Sequence, residues 1–451
     1  MEKRMKTNQV TVKQGIAEGV DCGTYTVFKG IPYAKPPVGK LRFQAPREPE
    51  KWDGVYRADH FAKIAVQDLP KAGDPFTGRY AKEFYSDPKF LPQMSEDCLY
   101  LNIWVPKAEK GEKFPVAFWI HGGGFGGGYS SEIEFDGKAY CERGVILISV
   151  EYRVNVFGFL AHPWLSAESE RGISGNYGIL DQIAALRWTY ENISAFGGDP
   201  ERITVFGQSA GSMSTQVLVS SDLSEKMIAG AVMQSGVSCE EDLLATPTLT
   251  EEEAFGEMFA ELTGAKNLEE LRTLPAEQLM SAKRIFDARM WETGKGLVMV
   301  PNVDGYVLKQ SVKELWKEGR MKNIPYMLGV VTDDLGAARE EVEAAITGKL
   351  MEECRRWSIQ CRSVYGNPSY LYHFLHKLPG DDWGAFHSAE LWYMFGTFGR
   401  SWRPMKEEDR KLSEEMIVYW TNFIKTGKPG DTCTEIWEAY TADGGYVKEF
   451  R

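Results

Sequence analysis

A serine framed by glycines is the first place in this chain where residue type and spacing imply chemistry. The stretch "ITVFGQSAGSMSTQVLVSS" sets Gly207-Gln208-Ser209-Ala210-Gly211 between an apolar β-type run and a helical run. This is G-x-S-x-G in the strand, sharp turn, helix context that gives the pattern meaning. The flanking glycines permit a turn that lifts the Ser209 hydroxyl clear, and the amide end of the following helix favours developing negative charge. A serine in a chance Gly-rich turn needs no partners. A nucleophilic serine needs a base to take its proton.

The chain holds six histidines, and an elbow of this kind is followed first by an acid and then by the base. His60, His121 and His162 precede Ser209. His373 and His376 lie in the strand-like "SYLYHFLHK", where structural roles are expected. His387 follows a glycine in "DDWGAFHSAELWYMF", outside any obvious strand. A loop histidine is freer to present its ring, which singles out His387 as the base. The acid, whose work is to fix the imidazole tautomer, belongs between the two at the end of a sheet strand. "PYMLGVVTDDLG" offers Asp333 and Asp334 there. Either could instead cap the strand through an Asx turn, and the pattern does not choose between neighbours.

"HGGGFGGGYS", residues 121–130, follows the apolar run "PVAFWI" and packs six glycines into seven positions. Gly122, Gly124 and Gly127 satisfy G-x-G-x-x-G, a cradle for a dinucleotide pyrophosphate, with Glu151 near the place for the acid that pattern requires. The same bare backbone can aim amides at an oxyanion formed during acyl transfer. Ser209 favours the second use, because an oxyanion needs a nucleophile to create it. Gly122 to Gly124 then form the oxyanion loop, and Gly126 to Gly128 let the chain turn away and line the entrance.

The elements that must position these residues alternate along the chain. "VAFWI", "VILISVEY", "ITVFG", "AGAVMQSG" and "PYMLGVV" are apolar on both faces, as strands inside a mostly parallel sheet should be. "ILDQIAALRWTYENISAFGG" carries apolar residues at helical spacing and a C-terminal stop at Gly197, which makes a β-α-β unit and an α/β fold. Residues 240 to 290 read as acidic amphipathic helices without strands, a helical insertion or cap. A second charged helical piece occupies 339 to 366. With no internal repeat or low-complexity linker, residues 1–451 are expected to form a single domain.

The net charge of −12 argues against nucleic acid and against an anionic membrane surface. No apolar run is long enough to span a membrane, and "MEKRMKTNQVTVKQG" has no apolar region of signal-peptide type. Seven scattered cysteines without C-x-x-C spacing point to free thiols, and no His-rich or H-E-x-x-H cluster implies a metal. The expectation is a cytoplasmic enzyme with no cofactor and no metal, whose partner is a small-molecule ester.

These residues resemble the type B carboxylesterase family, the cholinesterase-like branch of the α/β-hydrolases, in a bacterial form similar to para-nitrobenzyl esterases. "FKGIPYAKPPVGKLRFQAPREPEKWDG" and "SEDCLYLNIWVP" are similar to its N-terminal signatures. "GNYGILDQIAALRWTYENISAFGGDPERITVFGQSAG" is similar to its nucleophile region, "GAFHSAELWYMFG" to its histidine segment and "YWTNFIKTGKPG" to its C-terminal helix. The resemblance implies an α/β-hydrolase fold and a serine carboxylesterase with Ser209 as nucleophile, His387 as base and Asp334 as acid. It implies oxyanion donors at Gly123, Gly124 and Ala210, with Glu390 and Ser235 as polar supports of the histidine and acid. Some proteins of this kind are catalytically inactive binding or adhesion modules, but those typically lack a triad member.

The chain departs from that pattern in several places. Asp334 stands where Glu is usual, and Leu335 stands where a glycine follows the acid. Gln208 replaces a frequent Glu beside the nucleophile, which weakens any case for a cationic substrate. Cys98 has no cysteine in residues 60 to 97 to pair with. Only 53 positions separate Asp334 from His387, shorter than in related enzymes, which implies an open pocket for aryl or bulky esters, hydroxycinnamoyl esters among them. Phe286, Trp291 and Trp392 are candidate pocket residues, although aromatic residues near helices more often belong to the core.

Overall fold

The computed structural model describes residues 8–74, 77–107, 111–240, 246–336, 340–430, 436–441 and 445–451, with backbone alone at 336 and 340–347. Along the described chain run β1 (Gln9–Val12), β2 (Gly15–Glu18), β3 (Val20–Asp21), β4 (Tyr25–Pro32), β5 (Val55–Arg57) and β6 (Tyr100–Pro106). There follow β7 (Phe114–Ile120), β8 (Ile146–Val150), β9 (Gly198–Gln208), β10 (Gly230–Gln234), β11 (Tyr326–Val331), β12 (Ser369–Phe374) and β13 (Val447–Phe450). Strands β1, β2 and β5 make a small sheet. The other ten form one sheet in the order β13-β12-β11-β10-β9-β7-β8-β6-β4-β3. From β8 to β13 every pairing is parallel, and β3, β4 and β6 add an antiparallel edge. The five apolar runs picked out in the sequence are β7 to β11, which gives the mostly parallel α/β sheet expected of them and agrees with the α/β-hydrolase fold that the resemblance implies.

The central strands are apolar on both faces because both are covered. Every residue of β7, β8, β10 and β11 is buried. Along β7, Val116, Phe118 and Ile120 enter one core with Ile183, Leu186, Val217 and Leu218 of the helices Tyr177–Asn192 and Ala210–Ser220. The alternate residues Ala117 and Trp119 enter a second core with Met416, Trp420 and Phe423 of the helix Glu407–Thr426. Each fully buried large side chain contributes on the order of 1.5–3 kcal/mol, so the period of two that splits β7 between faces also fixes its register.

The helix Tyr177–Asn192 continues as a short 3-10 turn and ends at Gly197 in the left-handed conformation (φ 80°), as the sequence predicts. Between β10 and β11 lie the helices Leu249–Thr263, Leu268–Thr273 and Ala276–Glu292, the expected insertion, whose residues 241–245 fall outside the described chain. The second helical piece is Glu340–Tyr365, between β11 and β12. Among the described residues no helix is long and apolar enough to cross a membrane.

Register places the site. Ile120 pairs with Gly207, Gln208 with Gln234, and Gln234 with Gly329. The C-terminal ends of β7, β9, β10 and β11 therefore lie side by side, and the chain leaves them at His121, Ser209, Ser235 and Thr332. In an open parallel sheet this edge, where the order doubles back around β7, is where ligands bind.

Candidate active site

Ser209 holds φ 59° and ψ −127° between β9 and the helix Ala210–Ser220. A non-glycine residue held there stores roughly 1–3 kcal/mol of strain, which the neighbours must impose. They do so by close approach. A Cβ at Gly207 would lie 2.4 Å from the Gly211 carbonyl, and one at Gly211 would lie 2.1 Å from the Ile120 oxygen. A Cβ at Gly122 would meet the Gln208 oxygen at 2.8 Å, so the glycine loop after β7 sits directly on the elbow. The Ser209 amide donates to the Gln234 carbonyl at 2.9 Å, tying the elbow to β10. Its side chain remains partly exposed at the end of the sheet.

Asp334 follows β11 and is completely buried, and its Oδ1 accepts from His387 Nδ1. The same carboxylate accepts from the amides of Leu335 (3.0 Å) and Val331 (3.3 Å), which orient it. Leu335 takes φ 61°, the left-handed conformation that a glycine at this place would adopt freely. The neighbouring Asp333 has different work. Its Oδ2 accepts from the Ala385 amide at 2.7 Å while its own amide donates to the Ala385 carbonyl at 2.9 Å. This clamps the loop that carries His387, and a Cβ at Gly384 would strike the Asp333 carboxylate at 2.1 Å. Tyr80 Oη donates to the His387 carbonyl at 3.1 Å from the other side.

Because Nδ1 donates to Asp334, the His387 Nε2 carries the lone pair. Gln208 Nε2 lies 3.2 Å from it and donates to it. The His387 ring thus lies against the side chain of the residue that precedes Ser209. His373 instead faces Thr332 Oγ1 (3.2 Å), and His376 pairs with Asp409 (2.9 Å), so both have structural partners away from the elbow.

His121 ends β7 fully buried; burial lowers its pKa to about 4, and the neutral ring stacks on Tyr152 at 4.2 Å. Its Nδ1 donates to the Gly122 carbonyl at 2.9 Å. Gly123 and Gly124 take φ 105° and 61°. The Gly126 and Gly127 amides fold back onto the Gly123 carbonyl at 3.0 and 3.1 Å, turning the loop away as anticipated. Among the described residues the amides of Gly123, Gly124 and Ala210 donate to no protein acceptor. Unpaired backbone donors in a loop that packs on the elbow are what an oxyanion requires. The loop runs on to a helix only at Lys138–Cys141, so no helix N-terminus sits behind the glycines as a dinucleotide cradle needs.

The expected supports differ from one another. Glu390 is fully buried, and burial followed by the Asp334 charge pushes its pKa up to about 7. It accepts from Gln234 Nε2 at 3.1 Å, and Gln234 in turn holds the Ser209 amide. Ser235 (φ 50°) donates its amide to Gly329, but its buried hydroxyl has no hydrogen-bond partner among the described residues. Of the candidate pocket residues, Phe286 and Trp392 belong to the cores, the latter donating to Glu83. Trp291 is 63% exposed and lines a cavity of about 60 Å³ with Gly124 and Leu297, itself 56% exposed. Cys98 and the five other described cysteines are unpaired; Cys433 lies outside the described residues.

The model of the family described as the carboxylesterase family matches residues 6–353 and 332–450. The chain belongs to the carboxylesterase family. This carboxylesterase is a carboxylic ester hydrolase, 33% identical to the para-nitrobenzyl esterase of Bacillus subtilis (strain 168) over 96% of its own length and 92% of that protein's. It is 32% identical to the fumonisin B1 esterase of Sphingopyxis macrogoltabida, covering 96% of this chain and 84% of that one. Its fold superposes on a thermophilic PNB esterase with a TM-score of 0.85 at 30% identity, covering 99% of this chain and 96% of the other.

Proposed function

We propose that Ser209, His387 and Asp334 hydrolyse carboxylic esters through an acyl-enzyme. The observation that carries the reading is the buried Asp334–His387 hydrogen bond, which leaves Nε2 as a base beside the strained Ser209 elbow. Ser209 Oγ attacks the ester carbonyl while His387 Nε2 takes its proton and returns it to the leaving alcohol. Nε2 exchanges its contact with Gln208 for one with the Ser209 hydroxyl as the site engages substrate. Gly123, Gly124 and Ala210 hold the oxyanion, each donor contributing about 3 kcal/mol. Water then attacks the acyl-enzyme through the same base. Glu390 acts through Gln234 to hold the elbow, and Asp333 positions the His387 loop. The protein works as a single α/β-hydrolase domain.

The substrates we propose are aryl or bulky esters, hydroxycinnamoyl esters among them. The short segment between Asp334 and His387 supports this, as do Trp291 and Leu297, exposed apolar side chains at the oxyanion loop. A cytoplasmic location fits the unpaired cysteines. Replacing Ser209 with alanine and measuring kcat/KM over esters of graded acyl size tests both parts. Turnover of every ester should fall by roughly 10⁴- to 10⁶-fold. A variant that keeps half its activity refutes the nucleophile, and a wild type that turns over short-chain esters alone refutes the open pocket.

A further inference from the structure

A cavity of about 570 Å³ is lined by none of the residues assigned to the ester chemistry. Residues 43–47, the turn at 165–176, the helix Tyr177–Asn192, Leu223 and the pair Asp304 and Tyr306 enclose it. The volume falls within the range of small-molecule sites, roughly 300–1,000 Å³. Its floor is a helical stripe. Tyr177, Leu180, Ile183 and Ala184 recur at the spacing of one helix face, and Arg187 ends the row at the rim.

The rim carries Arg47, Arg171 and Arg187. Among the described residues neither Arg171 nor Arg187 makes an ion pair, and Arg47 donates only to the neutral side chain of Gln44, at 3.0 Å. The Arg171 guanidinium lies over the Tyr306 ring at 4.3 Å, a contact that does not neutralise its charge. The acids of the cleft are mostly engaged. Glu168 receives the fork of Arg272, and Asp304 spends one oxygen on the amides of Tyr306, Val307 and Leu308 and the other on Asn176. Among the described residues, Glu170 is the one acid of the cleft without such a partner. In a chain of net charge −12, three arginines and three acids line this cleft, and among the described residues Arg171 and Arg187 are left without an anionic partner beside an apolar helix face.

We propose that this cleft binds a medium-chain carboxylate as a site separate from Ser209. The alkyl body lies along Leu180, Ile183, Ala184 and Leu223, and the carboxylate meets Arg171 and Arg187, whose planar forks match two oxygens. An acid of this class is also what ester hydrolysis releases, a link that rests on the function proposed above; the binding itself does not.

Calorimetric titration of the whole protein with decanoate, and with decanamide as its neutral counterpart, tests the site before and after treatment with a fluorophosphonate. The expected result is one saturable decanoate site that survives the treatment, with decanamide at least about tenfold weaker. Arg171→Gln/Arg187→Gln should weaken decanoate at least about tenfold while p-nitrophenyl acetate turnover stays unchanged, which also verifies that the variant folds. Absence of saturable decanoate binding, equal affinity for decanamide, unchanged affinity in the double variant, or loss of the site on fluorophosphonate treatment would each overturn the proposal. Failure of the reagent to modify Ser209 would count against the catalytic proposal alone, since the arginine comparison does not depend on it.

Discussion

Asp334 reaches His387 Nδ1 although it is one methylene shorter than the glutamate common at this place, and the reason lies one residue earlier. Asp333 holds Ala385 through two hydrogen bonds, at 2.7 and 2.9 Å, and so draws the histidine loop against the end of β11. Two adjacent acids thus divide the work, one orienting the imidazole and the other placing its backbone. Replacing Asp334 with Asn leaves the wrong tautomer and should lower kcat about 10⁴-fold with the fold intact. Asp333→Ala displaces the ring and should lower kcat by up to ~10²-fold. Steady-state kinetics that ranked the two losses the other way would reverse the assignment.

Gln208 sits 3.2 Å from His387 Nε2 and brings no charge to it. A carboxylate there would favour the imidazolium, and a protonated His387 is no base. Gln208→Glu should therefore move the acid limb of the kcat/KM profile upward by about one pH unit or more, with the alkaline plateau kept. A limb that stays in place would mean that residue 208 does not sense the charge of the base.

Buried carboxyls give the fold a pH dependence of definite sign. Burial pushes Glu132, Glu151 and Glu390 up to about 7 and Glu252 up to about 8, against an ordinary value of 4.5. Glu134, beside Glu132, is pushed well above that value by burial and by its neighbour's charge. Between pH 6.5 and 8 the unfolded chain has already lost these protons, whereas the folded chain still holds part of them, so stability falls as pH rises. Burial holds His121, His162 and His373 below the ordinary value of 6.5, so near pH 6.5 the unfolded chain takes up protons there that the folded chain does not, which opposes the slope at that end of the window and fades toward pH 8. Glu134→Gln removes one retained proton, worth up to ~1.4 kcal/mol per pH unit. Its Tm should fall less than the wild type's between pH 6.5 and 8, and a parallel decline would refute the role of this pair.

Much of the site could be read before the fold because backbone geometry constrains residue type. Gly207 and Gly211 are glycines because no Cβ fits there, and the five central strands are apolar on both faces because helices cover both. Asp333 and Asp334 could not be separated by pattern, since neighbours on one turn share the same surroundings in sequence, and family resemblance was needed to choose between them. The clamp at Ala385 and the contact of Tyr80 with His387, 307 positions apart, leave no local periodicity to find. The antiparallel edge went unread because β4 bulges between Phe28 and Ile31, where Gly30 at φ 68° breaks the alternation. Phe286 and Trp392 were plausible pocket residues by type, but packing put them in the core.

The central claim is that Ser209 becomes acylated. Treatment with a fluorophosphonate, followed by peptide mass spectrometry and a parallel esterase assay, addresses it most directly. One adduct per chain is expected, on the peptide carrying Ser209, with activity lost in proportion to labelling. Full esterase activity in protein labelled at Ser209, or inactivation with the adduct on another residue, would contradict it.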